Sequence, residues 1–149
     1  MKVANRKSGF TLVEVLIVVV IMAVLAATII PQFSDSTKDA KISSAQFNLH
    51  TLRAQVELYK SQHDGVLPGA TLTELTSKTN NKGVTGTGAT FPYGPYLREL
   101  PSNPFTNSKT VKTITATAPV AADVTATDGW IYNATTGSIW INEASHLTD

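Results

Sequence analysis

GFTLVEVLIVVVIMAVLAATIIP, residues 9–31, is the stretch on which the reading of this chain turns. From Phe10 to Ile30 its only charged residue is Glu14, and Thr11 and Thr28 are its only other polar ones. As a helix at ~1.5 Å per residue the run extends about 30 Å, the thickness of a bilayer's hydrocarbon core. Lys2, Arg6 and Lys7 stand immediately before it, and Gly9 marks the junction between basic and apolar sequence. A carboxylate within such a segment costs about 2.5–3.5 kcal/mol on insertion scales, so Glu14 needs a partner or a task.

Outside this run the composition changes. The rest of the 149 residues is rich in Thr, Asn, Ser and Gly, enough for one domain behind an anchor. The formal net charge of +1 becomes −2 once Lys2, Arg6 and Lys7 are set aside. No Lys/Arg cluster remains to suit a nucleic acid. Without cysteine there is neither a disulfide nor a thiolate metal site. No nucleophile–base set, phosphate-binding glycine loop or spaced carboxylate pair appears, which argues against an enzyme. His50, His63 and His146 share no ligand spacing and are read as structural.

Three readings of residues 1–31 compete. A cleaved secretory signal has the basic start and an apolar region, but usually a shorter one without a carboxylate, and Val24-Leu25-Ala26 makes a poor cleavage motif. An uncleaved single-span anchor, with its basic end in the cytoplasm, leaves Glu14 and the Gly9-Phe10 junction unexplained. The third reading covers both. Lys7-Ser8-Gly9-Phe10-Thr11-Leu12-Val13-Glu14, followed by an apolar helix, resembles the processing site of type IV pilins and type II secretion pseudopilins.

That resemblance implies cleavage after Gly9 by a prepilin peptidase and N-methylation of Phe10. It also gives Glu14 an assembly role, and Pro31 matches the family's helix proline in spacing. A freed Phe10 ammonium would lie one helical turn from Glu14, in its own or a neighbouring subunit. A carboxylate buried among helices is tolerable when paired with a cation and costly alone; the plain alternative is that Glu14 snorkels to the headgroups.

Beyond Pro31, Ile42, Ala45, Leu49, Leu52, Val56 and Tyr59 recur at steps of three and four, an amphipathic helical stripe. Asp64-Gly65 ends it, with Pro68 close behind. Phe10 to about His63 is thus expected as one helix, kinked at Pro31. The stripe suits a face covered by the chain's own sheet better than a coiled coil. Thr71–Leu75 is expected as a helical turn, Thr76–Ala89 as a loop with no reason to pack, and Pro92–Ser108 as a proline-pinned loop lending Tyr93, Tyr96, Leu97, Leu100 and Phe105 to a core. Thr110–Thr117 reads as a strand, and Gly129–Asn142 as a hairpin whose Trp130, Tyr132, Ile139 and Ile141 face the stripe. Asn133-Ala134-Thr135 matches a glycosylation sequon, although an Asn at a turn is the ordinary explanation.

The fold class expected is α+β and pilin-like: a long N-terminal helix packed on a small antiparallel sheet. Residues 1–9 form a leader, 10–31 the transmembrane and assembly helix, and 32–149 the exported head. The order of parts also resembles the major pseudopilins of type II secretion. This implies a non-enzymatic filament subunit of the bacterial inner membrane, single-pass, with its head in the periplasm or outside the cell. Implied partners are further copies of itself, the peptidase/N-methyltransferase, an assembly platform, minor pseudopilins and membrane lipid. Alternatives are a type IV pilus subunit for adhesion, motility or DNA uptake, and an anchored or secreted binding module. Pseudopilins of this kind hold calcium in a loop near the C-terminus. Asp123 and Asp128 are the only candidates here, with too few oxygen ligands around them in the sequence to commit to a metal.

Overall fold

The computed structural model describes residues 9–148. Its elements are one helix, α1 (Leu12–Gln62), and three short strands, β1 (Val111–Thr113), β2 (Trp130–Tyr132) and β3 (Ile139–Ile141). A 3-10 turn lies at Thr73–Thr76 and others at Ala121–Asp123 and Ala144–His146. The chain divides into two compact units, residues 1–39 and Ala40–Asp149. The helical assignment runs through Pro31 without a break.

In the first unit the apolar residues between Leu12 and Ile30 are exposed almost throughout. The helix is long and apolar enough to cross a membrane there. The hydroxyl of Thr28 donates to the Leu25 carbonyl at 2.9 Å, so this polar side chain needs no partner from its surroundings.

In the second unit the amphipathic stripe meets the sheet. Ala45, Leu49, Leu52, Val56 and Tyr59 pack with Leu72, Leu75, Trp130, Tyr132, Ile139 and Ile141 in one buried cluster. Burying each large side chain contributes about 1.5–3 kcal/mol. Tyr96, Leu97, Leu100 and Phe105 close its edge, as the proline-pinned loop was expected to do. Leu75 reaches the core from the 3-10 turn and Leu72 from the residue just before it, where the backbone is left-handed; Ser77, just after it, is extended.

The hairpin register pairs Trp130 with Ile141, Ile131 with Trp140 and Tyr132 with Ile139. Alternation therefore sends Trp130, Tyr132, Ile139 and Ile141 toward α1. Ile131 and Trp140 point the other way, where they pack with Ile114 and Leu147. Both faces are covered, so both strands are buried at every position.

The α+β, pilin-like expectation holds, with one change in the sheet. β2 and β3 are antiparallel, but β1 lies parallel to β2, which makes the sheet mixed. The cause is the connection: parallel strands need a long crossover, and the chain spends Ile114–Gly129 on one before β2 begins. At its return Gly129 passes so close that a Cβ there would stand 2.1 Å from the Ser108 carbonyl oxygen, a contact only glycine avoids.

The Thr76–Ala89 loop is better anchored than its composition suggests. Thr79 is fully buried and exchanges two backbone hydrogen bonds with Tyr93, at 3.0 and 3.1 Å. Asn80 Oδ1 accepts from the backbone N–H of both Lys82 and Val84 at 3.0 Å. Short polar side chains thus satisfy the backbone locally, which replaces the apolar anchors the sequence lacks. His63 Nδ1 donates to the Tyr59 carbonyl at 2.8 Å, which leaves Nε2 to accept from the Thr79 hydroxyl at 2.9 Å. His63 is therefore a buried structural residue, stacked on Tyr59 with ring centroids 3.9 Å apart.

Burial, aided by the nearby Glu74 carboxylate, raises the Tyr59 hydroxyl from 10.0 to about 12. Between those values the folded state holds a proton that the unfolded chain has released, so stability falls as pH rises. Denaturant titrations are expected to show a declining midpoint above about pH 10, and Tyr59→Phe should flatten that decline. An unchanged slope would place the alkaline transition elsewhere.

Candidate processing and assembly site

The helix begins on a reciprocal cap. Thr11 is the residue before α1 and Glu14 the third residue within it. The Thr11 Oγ1 accepts from the Glu14 backbone N–H at 3.2 Å, and Glu14 Oε2 accepts from the Thr11 backbone N–H at 2.8 Å. The Thr11 hydroxyl also donates to Glu14 Oε2 at 2.7 Å. This is a capping box: two of the donors that every helix N-terminus leaves without partners are satisfied by two side chains. It also places a negative charge where the helix dipole favours one. The Thr-x-x-Glu spacing was readable in the sequence, and the motif reading passed over it.

Gly9 and Phe10 lie ahead of the cap, outside the helix and exposed. A Cβ built on Gly9 meets nothing within 4 Å, and its backbone is not in the left-handed region. Among the described residues nothing stands in the way of a Cβ at position 9, in contrast to Gly129. Lys2, Arg6 and Lys7 fall outside the described residues.

The prokaryotic N-terminal methylation motif, as a family, matches residues 4–30, a span that begins before the cleavage junction and closes with the apolar run. The chain carries this motif. Curated proteins similar to it include the type II secretion system core protein G of Pseudomonas aeruginosa, 38% identical over 56 residues, which are 38% of this chain and 39% of that protein. Core protein G of Aeromonas hydrophila is 28% identical over 103 residues, 69% of this chain and 71% of the relative. A prepilin peptidase-dependent protein A of Clostridium perfringens is 32% identical over 82 residues, 55% of this chain and 58% of the relative. No solved structure matches significantly. The resemblance to the pilin and pseudopilin family, drawn above from Lys7–Glu14, stands on the motif and these relatives together.

The acidic pair near the C-terminus is engaged within the chain. Asp123 Oδ2 accepts from the Val120 backbone N–H at 2.9 Å, and its Oδ1 lies 3.6 Å from Lys112 Nζ. Asp128 Oδ2 accepts from the Thr125 hydroxyl at 2.7 Å. Among the described residues no three or more His, Cys, Asp or Glu side chains gather as a metal cluster. Sequence reading missed the residue that organises this loop, Asn142. It is fully buried directly after β3. Asn133, the sequon residue, is 1% exposed. Its Oδ1 accepts from the backbone of Thr135 and Thr136 and its Nδ2 donates to the Ala116 carbonyl. It is a turn residue.

Proposed function

We propose that this chain is a structural subunit of a type IV pilus-like filament, working as a type II secretion pseudopilin. The observation that carries the reading is the contrast at the N-terminus. Among the described residues nothing requires glycine at position 9, whereas a peptidase that closes tightly around the backbone at the scissile bond leaves no room there for a side chain. The relatives called core protein G, and the one called prepilin peptidase-dependent, support it.

In this reading the peptidase breaks the Gly9–Phe10 amide, the leader leaves with the carboxylate, and Phe10 keeps the nitrogen as an ammonium. A methyltransferase then modifies that amine. The capping box already holds the Glu14 carboxylate at the same end of the helix. The new cation thus appears where a carboxylate is positioned to meet it, in cis or from a neighbour. The protein waits as a single-span inner-membrane subunit with its head outside the cytoplasm. An assembly platform and minor pseudopilins draw its apolar helix from lipid into a bundle of identical helices. Apolar burial passes from lipid to protein with little net gain, so packing and the Phe10–Glu14 pair set the register. The chain is a substrate of the two modifying enzymes and not itself an enzyme.

The mass of the mature N-terminus tests this. A chain beginning at methylated Phe10 is expected; one beginning near Ala27 would mean ordinary secretion. Gly9→Leu is expected to leave the leader attached, seen as slower gel migration, with the head folded as before. Complete processing of that variant would remove the argument from position 9.

A further inference from the structure

Asn142 Nδ2 stands among three oxygen atoms. It donates to the Thr125 carbonyl at 2.8 Å, to Thr125 Oγ1 at 3.2 Å and to the Asp128 carbonyl at 2.5 Å. The other end of the same amide is also engaged, since Oδ1 accepts from the Thr125 backbone N–H at 3.0 Å. That last bond sets the orientation: turning the amide over would aim NH2 at an N–H and an oxygen at two carbonyls. The backbone of Asn142 is held in the ladder as well, its N–H donating to the Gly129 carbonyl at 3.2 Å. Around this amide, Thr125 and Asp128 are tied together by two hydrogen bonds of their own.

Two carbonyl oxygens and a hydroxyl oxygen converge here, with the Asp128 carboxylate one hydrogen bond away on the same hydroxyl, and oxygens of these kinds are the donors calcium takes. Here the point on which they converge belongs to a hydrogen-bond donor. A cation and an NH2 group cannot share it, so the residues present do not fit the calcium that the pseudopilin resemblance implies. We propose that Asn142 replaces the ion: its amide clamps the Thr125–Asp128 loop to the end of β3, and the head folds without a divalent cation. The replacement is a single atom deep. Asn142→Asp exchanges the NH2 group for an oxygen of the same size and leaves the bond to the Thr125 N–H in place. It would then press a buried carboxylate oxygen against two carbonyls, an arrangement that needs a cation or a proton among those oxygens, and a proton restores only one of the lost hydrogen bonds. This inference is independent of filament assembly and of cleavage at Gly9.

Thermal unfolding of the full chain in detergent, followed by near-ultraviolet circular dichroism of Trp130 and Trp140, tests it. The unmodified protein is expected to melt at the same temperature in calcium and in chelator. A drop on chelation would overturn the proposal. Asn142→Ala should melt about 5–15 °C lower in both conditions, because three acceptors lose their donor; an unchanged Tm would mean there is no clamp. Asn142→Asp should melt lower in chelator and regain at least half of that loss in calcium, with calcium binding measurable by calorimetry. Equal melting of that variant in both conditions would show that the oxygens do not form a cation cage, and the substitution argument would fall.

Discussion

Glu14→Leu is expected to insert in the membrane and to be cleaved and methylated normally, yet to yield almost no filament. The apolar run becomes more apolar, so insertion cannot suffer. The proposed cut site, Gly9-Phe10, lies outside α1 and is exposed, ahead of the residue changed. What disappears is the anion that, in the proposed assembly, meets the Phe10 ammonium once the helices leave the headgroup region. Breaking one side of a buried ion pair costs about 3–5 kcal/mol, which is about two to three and a half orders of magnitude in association per subunit. The capping box is lost at the same time, at about 1 kcal/mol. Glu14→Gln separates the two effects, because a side-chain amide oxygen still accepts from the Thr11 N–H but carries no charge. Filament yield after shearing and sedimentation should fall for both variants, and Thr11→Val, which loses the cap but keeps the carboxylate, should fall much less. Normal yield from Glu14→Gln would leave capping as the only role of this residue.

Trp130→Ala is expected to destabilise the head by about 3–5 kcal/mol, the range for truncating a large buried aromatic. Trp130 is fully buried in the cluster between the sheet and Leu49, Leu52, Val56 and Tyr59. Its indole Nε1 donates to the Pro101 carbonyl at 2.8 Å, so the ring also ties the proline-rich loop to β2. Trp130→Phe keeps most of the ring and loses only that bond, for which about 1–2 kcal/mol is expected. Urea unfolding of the full chain in detergent measures both. A loss under about 1 kcal/mol for Trp130→Ala would mean that the core is held elsewhere. The Tyr132 hydroxyl, which donates to the Pro68 carbonyl at 3.0 Å, forms a second tie of the same design.

The stripe from Ala45 to Tyr59 and the strands around Trp130 and Ile139 were legible because each follows one period. Three-to-four spacing puts a helix's apolar residues on one side, and alternation does the same for a strand. Their mutual packing followed, since the stem offers one apolar face and the hairpin presents Trp130, Tyr132, Ile139 and Ile141 on one side; that Ile131 and Trp140 are covered on the other side came from the fold. The parallel placement of β1 was not legible. Nothing in Val111–Thr113 distinguishes a parallel neighbour from an antiparallel one, and the direction depends on how Ile114–Gly129 crosses back. His63 and Thr79 were not legible as a pair either, for their bond spans sixteen positions and carries no motif.

The same division holds for function. In the proposed function Gly9-Phe10 and Glu14 act within one segment, so their order along the chain already contains the chemistry proposed for them: a basic leader, a cut, a charge one helical turn on, and an apolar helix. By itself the sequence determined the N-terminal motif, the amphipathic stem and the hairpin. Tertiary structure alone decided the state of the C-terminal loop. Whether Thr125 and Asp128 face an ion or an amide depends on which side chain the end of β3 brings among their oxygens, and only the folded register places Asn142 there.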